Sequence, residues 1–161
     1  METVEVVQLL ASPITRYAGR PADGPQPEPA GEIVGTLTFR AGLGIVGDRY
    51  FGKKAHRDAS VTLMDEANLP PGSDLRQTRR NILLRGLAID TLVGRELVLD
   101  TGAGPVTFHI NRPANPCAWM DVVIGPGAMR ALRGKGGVRA TPLTDGVLHL
   151  GPVTVSISPA A

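Results

Sequence analysis

The chain has one cysteine, Cys117, and a cysteine side chain can take part in more kinds of reaction than the other side chains of the chain. It lies in the segment RPANPCAWMD, where Asn115 is suited to cap a helix, Pro116 to take its first position and Cys117 its second. Unpaired backbone N–H groups and the helix dipole favour an anion there, so the pattern predicts a reactive thiolate, to which nearby Arg112 could add stabilisation. A thiolate can act as a nucleophile, a sulfur acceptor or a soft metal ligand; an inert buried cysteine is the alternative.

A glycine-rich, charged segment, GLGIVGDRYFGKKAHRD at residues 42–58, could wrap an anionic ligand. Its glycines would let backbone N–H groups converge on a phosphate. The segment contains the pair Gly47 and Asp48, followed by Arg49, and it contains His56 as a candidate for proton transfer. Neither GxxxxGK[ST] nor a strand–GxGxxG–helix unit is present, so the segment lacks the sequence motifs of nucleotide-binding loops. A solvated hairpin loop is the alternative interpretation.

A second polar cluster consists of Arg79, Arg80 and Asn81, directly before the apolar residues 82–84. Arginine is suited to bidentate binding of phosphate or carboxylate, so the cluster could clamp a phosphate. It could equally cap the edge of a sheet, and composition does not decide between the two.

Several kinds of site are excluded. One cysteine cannot form an internal disulfide, a CxxC redox pair or a self-contained iron–sulfur cluster. The three histidines show no HExxH or HxH spacing, which argues against a histidine-ligated metal. No GxSxG motif is present, which argues against a serine hydrolase of that type.

The elements that must position these residues are mostly strands. A chain of 161 residues with 42% hydrophobic and 20% charged residues is predicted to form a single globular domain. Twenty glycines and 14 prolines favour many short strands joined by turns over a helical bundle. The fold class predicted is therefore mostly β, with a few short helices.

The hydrophobic pattern places the individual elements. Strands are predicted at residues 4–10, 32–39, 60–65, 82–84, 95–100, 105–110, 138–142 and 153–157. Helical turns are predicted at residues 116–123 and 128–133. Residues 18–31 hold four prolines and are predicted to be a mobile loop.

The net charge and the N-terminal residues allow predictions about binding partners and cellular location. Net charge is only +2 and aromatic content 4%, so a base-stacking nucleic-acid surface is disfavoured. Residues 111–140 carry five basic residues and one acidic, which places any anion site there or close by. Acidic residues near the N-terminus and the lack of a long apolar run predict no secretory signal and no membrane association, hence a cytoplasmic protein.

Taken in order, these pieces resemble the MOSC domain, named for the C-terminal domain of molybdenum cofactor sulfurases. The resemblance covers residues 32–157 and rests on GLGIVGDRY followed by SVTLMDEA, TRRNILLRGLAIDTLVGRELVL, the NPC at residues 115–117, and GGVRATPLTDGVLHLG. It departs from many members at Arg49 and Tyr50, where a histidine is common, and at Pro152, where an aspartate is common in a turn.

The resemblance implies a MOSC-type β-barrel over residues 1–161, with its core at 32–157, beside a pocket for the molybdenum cofactor (molybdopterin). It implies that Cys117 is a molybdenum ligand or sulfur carrier. The cofactor-binding residues carried over or placed nearby are Gly47, Asp48, Arg49, Arg79, Arg80, Asn81, Arg112 and Asn115. The chain has no room for the pyridoxal phosphate domain of the fused sulfurases, so a cysteine desulfurase would act in trans.

Three functions stay open at this point. The first is a sulfur carrier, loaded at Cys117 by a desulfurase and delivering sulfur to a metal or cofactor. The second is a molybdenum-dependent reductase component for N-hydroxylated compounds, which needs an electron-transfer protein because the chain has no flavin or haem motif. The third is a non-catalytic β-barrel that binds an anionic small molecule.

Overall fold

The strands predicted from the hydrophobic pattern form in the computed structural model, which describes residues 3–159. The strands are β1 (Val4–Leu10), β2 (Ile33–Val34), β3 (Thr36–Arg40), β4 (Gly44–Ile45), β5 (Val61–Asp65), β6 (Ile82–Arg85), β7 (Glu96–Asp100), β8 (Pro105–Pro113), β9 (Val138–Pro142), β10 (Gly146–His149) and β11 (Gly151–Ile157). The α-helices are α1 (Leu75–Thr78), α2 (Trp119–Val123) and α3 (Ala128–Ala131). The predicted mostly β fold with a few short helices is confirmed.

Seven strands close into a barrel in the order β11, β7, β8, β9, β5, β6, β1, with β1 pairing back onto β11. All these pairs are antiparallel except β5 and β6, which run parallel. Strand β2 extends the sheet beside β1, and β10, β3 and β4 form a separate three-stranded sheet. Closure removes free edges from the seven-stranded part.

The barrel interior follows from strict alternation along the strands. In β7, Leu97 and Leu99 are fully buried while their neighbours are at least partly exposed, as a period of two requires. Phe39 of the smaller sheet reaches the same core and meets Phe108 of β8 edge to face, with ring centroids 5.1 Å apart. The smaller sheet is therefore packed onto the barrel core through its buried side chains.

A second, smaller core lies outside the barrel, on the face that carries the helices. Its buried members are Leu10, Met64, Leu75, Leu83, Trp119, Met120, Ala128 and Leu132. Met64 and Leu83 alternate with Leu63 and Leu84, which point into the barrel, so these strands are apolar on both faces. This outer core fixes α2, and with it the segment that precedes α2, against the barrel wall.

Some boundaries differ from the sequence prediction. The single strand predicted at residues 32–39 divides into β2 and β3, which belong to different sheets. Strand β8 continues to Pro113, and the sequence prediction lacks β4, β10 and α1. Pro152 lies within β11 opposite Glu5 of β1. Residues 18–31 contain only a short 3-10 turn at Pro21–Asp23; the prediction that this segment is mobile stays a prediction.

No helix among residues 3–159 combines the length and the apolar character needed to cross a bilayer.

Candidate functional site

A cleft of about 200 Å³ opens where the outer core meets the barrel rim. It gathers residues from distant parts of the chain. Five of the predicted site residues line it: Arg49, Arg79, Arg80, Asn115 and Cys117. The cysteine, the basic loop and the arginine run are thus brought together at one place.

Cys117 is exposed and lies in the turn between β8 and α2. The predicted helix at residues 116–123 is wrong at its start. Helix α2 begins at Trp119 with Ala118 before it and no side-chain cap, so Asn115 does not cap it. Cys117 therefore lies before the helix, and its carbonyl accepts a hydrogen bond from the Met120 N–H at 3.0 Å. A five-residue helix offers little dipole and Cys117 lies before its first turn, so the helix gives little support to an anion at Cys117.

Arg80 holds the backbone that leads to Cys117. Its Nε donates to the carbonyl of Gly136 at 2.8 Å, and its Nη2 donates to the carbonyl of Ala114 at 3.1 Å and, more weakly, of Asn115 at 3.5 Å. Burial lowers the pKa of Arg80 to about 10, which still leaves the guanidinium charged at neutral pH. Arg80 thus positions the cysteine turn and at the same time lines the cleft.

Gly136 makes that close arrangement possible. A Cβ placed on Gly136 would lie 2.3 Å from the carbonyl oxygen of Ala114 and 3.3 Å from Cδ of Pro116. No side chain fits there, so the strand entering β9 can pack directly against the turn that carries Cys117. The adjacent Gly137 donates its N–H to the Asp90 carboxylate at 2.9 Å, which anchors this approach.

Arg79 lines the cleft at its buried side. Its backbone is left-handed, with φ of 62°, where it ends α1. Its guanidinium forms a buried ion pair with Glu32; the side chains are 5% and 1% exposed. Nε and Nη2 of Arg79 and Oε2 of Glu32 have no hydrogen-bond partner among residues 3–159. The site therefore contains buried N–H groups of Arg79 that could donate hydrogen bonds to a ligand.

The turn with Gly47 and Asp48 is a structural support. Gly47 has φ of +87°, a conformation that favours glycine. The buried carboxylate of Asp48 accepts from the backbone N–H of Ser12 at 3.0 Å and of Tyr50 at 3.4 Å, and it pairs with Arg49 at 3.3 Å. Gly47 and Asp48 do not line the cleft; they orient Arg49 and Tyr50, which do.

Asn81 has a similar supporting position. Its Oδ1 accepts from the N–H and the hydroxyl of Thr62 at 2.9 and 3.0 Å, and its Nδ2 donates to the Leu10 carbonyl at 3.0 Å. These bonds tie β5, β6 and the end of β1 together behind the cleft. Asn81 is 1% exposed and lies outside the cleft lining.

Arg112 lies outside the main cleft, in an adjoining groove. It pairs with Asp58 at 3.5 Å, and its side chain is 52% exposed. The groove it lines with His56 shares Tyr50, Asn115 and Arg139 with the cleft. Arg112 is thus placed to act on a ligand that extends from the cleft, rather than on Cys117 directly.

Sequence reasoning missed the aromatic residues of the cleft. Tyr17, Tyr50 and Trp119, which are all the tyrosines and tryptophans of the chain, line it. Tyr17 and Trp119 stack with ring centroids 5.0 Å apart and planes 14° from parallel. Burial raises the pKa of Tyr17 to about 12, so its phenol stays neutral and donates to the Gln77 carbonyl. The chain has few aromatic residues, and the positions of these three in the sequence do not indicate that they lie together in the cleft.

Two arginines of the cleft were also missed, Arg16 and Arg139. Arg16 donates through Nε to the Gln26 carbonyl at 2.9 Å. Burial lowers the pKa of Arg139, and the guanidiniums of Arg112 and Arg49 lower it further. Among residues 3–159, the lining of the cleft thus holds five arginines and no carboxylate beside the Cys117 thiol, a charge distribution suited to an anion.

Comparison with known proteins gives support at the level of the fold. No family model and no curated protein sequence matches the chain. Among solved structures, the YUAD protein from Bacillus subtilis is similar with a TM-score of 0.73 and 15% identity, over 96% of this chain and 95% of that one.

Two YiiM proteins, which are members of the MOSC-domain family, are also similar. YiiM from Escherichia coli has a TM-score of 0.60 and 13% identity, over 98% of this chain and 71% of that one. YiiM from Geobacillus stearothermophilus has a TM-score of 0.59 and 16% identity, over 95% and 75%. At this identity the likeness concerns architecture, and the chain has a MOSC-like β-barrel fold.

Proposed function

We propose that the chain binds the molybdenum cofactor and that Cys117 serves there as sulfur carrier or molybdenum ligand. The observation that carries the proposal is the placement of the exposed Cys117 thiol in one cleft with Arg79, Arg80 and Arg139. The MOSC-like fold adds support, because the resemblance in sequence and the likeness in structure point to the same family.

The residues of the cleft fit such a group. Molybdopterin carries a phosphate, and the cleft has guanidinium donors without partners, including Nε and Nη2 of Arg79. Thiolate sulfur is a soft ligand. No group of three or more His, Cys, Asp or Glu among residues 3–159 could hold a metal ion, so a metal at Cys117 would take its other ligands from the cofactor. When bound, the cofactor supplies redox chemistry at molybdenum.

In the carrier form of the proposal, Cys117 receives sulfur from a cysteine desulfurase in trans. Its thiolate attacks the outer sulfur of the donor's persulfide, which forms a persulfide on Cys117 and releases the donor cysteine as a thiolate. The exposed position of Cys117 allows a protein donor to approach. Arg80 would hold the turn in place during the transfer through its bonds to Ala114 and Gly136.

The second candidate is a reductase component for N-hydroxylated small molecules, with electrons from a separate protein. The adjoining groove with His56 and Arg112 favours keeping it, because a substrate could lie there beside the cleft. A non-catalytic anion-binding barrel is the third candidate and would use the same arginines.

Native mass spectrometry separates these candidates. The full chain and Cys117→Ala are purified from cells that make molybdenum cofactor, with Arg133→Ala as the control variant, because Arg133 is exposed and lines neither the cleft nor the groove. We expect wild type and control to carry either one extra sulfur or the mass of the cofactor, and Cys117→Ala to lose it. Added sulfur identifies the carrier, and added cofactor favours the reductase. An unmodified wild type, or an addition that persists in Cys117→Ala, would contradict the proposal.

A further inference from the structure

The charges around the cleft and its groove do not balance. Three arginines there are paired with carboxylates: Arg49 with Asp48, Arg79 with Glu32, and Arg112 with Asp58. Two others, Arg16 and Arg80, donate to backbone carbonyls. The remaining one is Arg139, whose guanidinium makes neither an ion pair nor a hydrogen bond with any of residues 3–159.

Arg139 lies at the junction of the two concave surfaces. It lines the cleft with Cys117 and also the groove with His56, and its side chain is half-buried. A half-buried guanidinium without a partner loses hydration without gaining hydrogen bonds, which is unfavourable unless a ligand supplies them.

The strand register makes the position less favourable still. Arg139 in β9 lies directly opposite Arg112 in β8, next to an irregularity between Ile110 and Arg112. Like charges directly opposite each other destabilise an antiparallel pair. Asp58 forms its ion pair with Arg112 and acts on Arg139 only from a longer distance, so Arg139 has no ion-pair partner of its own among residues 3–159. Conflicts of this kind between local structure and stability are typical of functional sites.

The two arginines without a carboxylate partner indicate the chemical class of the ligand. Arg80 and Arg139 both line the cleft and neither is paired with a carboxylate, so two positive charges face the same space. A phosphate monoester carries about −1.5 to −2 charges at neutral pH and offers three acceptor oxygens. A planar guanidinium with its donors free is suited to bind it in bidentate geometry.

We propose that Arg139 is the principal phosphate-binding residue of the site and holds a phosphate monoester at the junction of cleft and groove. This inference rests on the proposed function and deepens it. The sequence suggests Arg79 and Arg80 as the residues that bind the phosphate, whereas we assign this role mainly to Arg139. Arg79 is paired with Glu32, and Arg80 is bound to backbone carbonyls.

The test uses alkylation of Cys117, the one thiol of the chain. The full chain is produced in cells that cannot make molybdenum cofactor and is treated with dithiothreitol before use, which returns any persulfide on Cys117 to the free thiol. Iodoacetate and iodoacetamide each form a thioether at Sγ and release iodide, but only iodoacetate is anionic. Rates are measured for both reagents, with and without inorganic phosphate as the probe.

In wild type we expect phosphate to slow alkylation by iodoacetate in a saturable manner. Arg139→Gln should abolish this protection and lower the ratio of iodoacetate to iodoacetamide rates on the order of threefold or more, because a nearby positive charge is lost. Arg133→Gln, which removes an exposed arginine, should leave both quantities unchanged. If Arg139→Gln does not fold, Arg139→Lys takes its place; it keeps the charge but loses the bidentate fork, so protection should weaken several-fold.

Wild type without phosphate protection, or protection that is the same in Arg139→Gln or Arg139→Lys, would overturn the inference. Its failure is distinguishable from failure of the proposed function. Phosphate binding through Arg139 in a protein that never carries added sulfur or cofactor would refute the proposed function alone. A cofactor-carrying protein without phosphate protection would refute only the role of Arg139.

Discussion

The guanidinium of Arg80 is bonded to the carbonyl oxygen of Gly136, with 2.8 Å between Nε and the oxygen. The same side chain reaches the carbonyl of Ala114, so the start of β6, the entry to β9 and the cysteine turn are joined at one point. A residue that the sequence suggests as a phosphate clamp is thereby committed to the protein backbone. The thiol of Cys117 owes its place in the cleft to this contact.

Replacement of Arg80 should loosen the cysteine turn. Arg80→Ala leaves the carbonyls of Ala114 and Gly136 without their donor, and a lost partner of this kind costs about 1–3 kcal/mol of unfolding free energy. We also expect faster hydrogen exchange at the amide of Cys117, and weaker binding of the phosphorylated pterin. Urea denaturation and exchange mass spectrometry check these expectations, with Arg133→Ala as control. Unchanged exchange at the turn would show that Arg80 does not hold it.

A methyl group at Gly136 should displace the turn that carries Cys117. Gly136→Ala would place Cβ 2.3 Å from the Ala114 oxygen, so the turn before Cys117 must shift. Overpacking of this kind costs about 1–3 kcal/mol. Gly35→Ala is the matched control, because a Cβ at Gly35 meets nothing within 4 Å. Thermal unfolding and the alkylation rate of Cys117 should both change in Gly136→Ala and stay close to wild type in Gly35→Ala; equal behaviour of the two would disprove the close packing.

The buried ion pair of Glu32 and Arg79 should be sensitive to removal of one partner. Glu32→Gln leaves the Arg79 charge buried without compensation, which costs about 3–5 kcal/mol of unfolding free energy. An exposed pair offers the comparison: Asp23 pairs with Arg20, with side chains 64% and 82% exposed, so Asp23→Asn should cost about 0.5 kcal/mol or less. Chemical denaturation of both variants tests this. A small effect of Glu32→Gln would mean that water or another group reaches Arg79.

The stability of the protein should depend on Tyr17 at high pH. Burial raises the pKa of Tyr17 from 10.0 to about 12 in the folded state. Between these values the folded protein keeps a proton that the unfolded chain has released, so the free energy of unfolding falls as pH rises through this range. Tyr17→Phe lacks this contribution, and its stability should decline less steeply. Urea denaturation at pH values from about 9 to 11 measures the two slopes. Parallel slopes would place Tyr17 in a more hydrated environment.

Most of the barrel was predictable because its signal is local. The apolar, β-branched run at residues 4–10 and the hydrophobic pattern at residues 138–142 predict β1 and β9 with their observed bounds. Strand β10, in the segment TDGVLHLG, lacks that signal because it is short and lies at the edge of the small sheet. The start of α2 was misplaced since Pro116 favours a helix locally, whereas the bond from Arg80 to the Asn115 carbonyl and the packing of Trp119 govern this segment.

Sequence alone singled out the thiol that lies in the cleft and two of the segments that surround it. Residue type and motif order suffice for that, because chemistry at Cys117 is a property of its side chain. Gly47, Asp48 and Asn81 were also singled out, but their contacts make them supports of the site. A sequence records that a polar residue is present, and not whether its hydrogen bonds are used within the protein.

Only the tertiary structure assembled the cleft. The outer core brings Tyr17 to Trp119, and the pairing of β8 with β9 places Arg139 opposite Arg112. Which arginine remains free depends on which carboxylates fold beside the others, and those pairs join residues as distant as Glu32 and Arg79. The charge distribution of the cleft is therefore a consequence of long-range pairing, because charge balance is settled by distance in space and not by spacing in sequence.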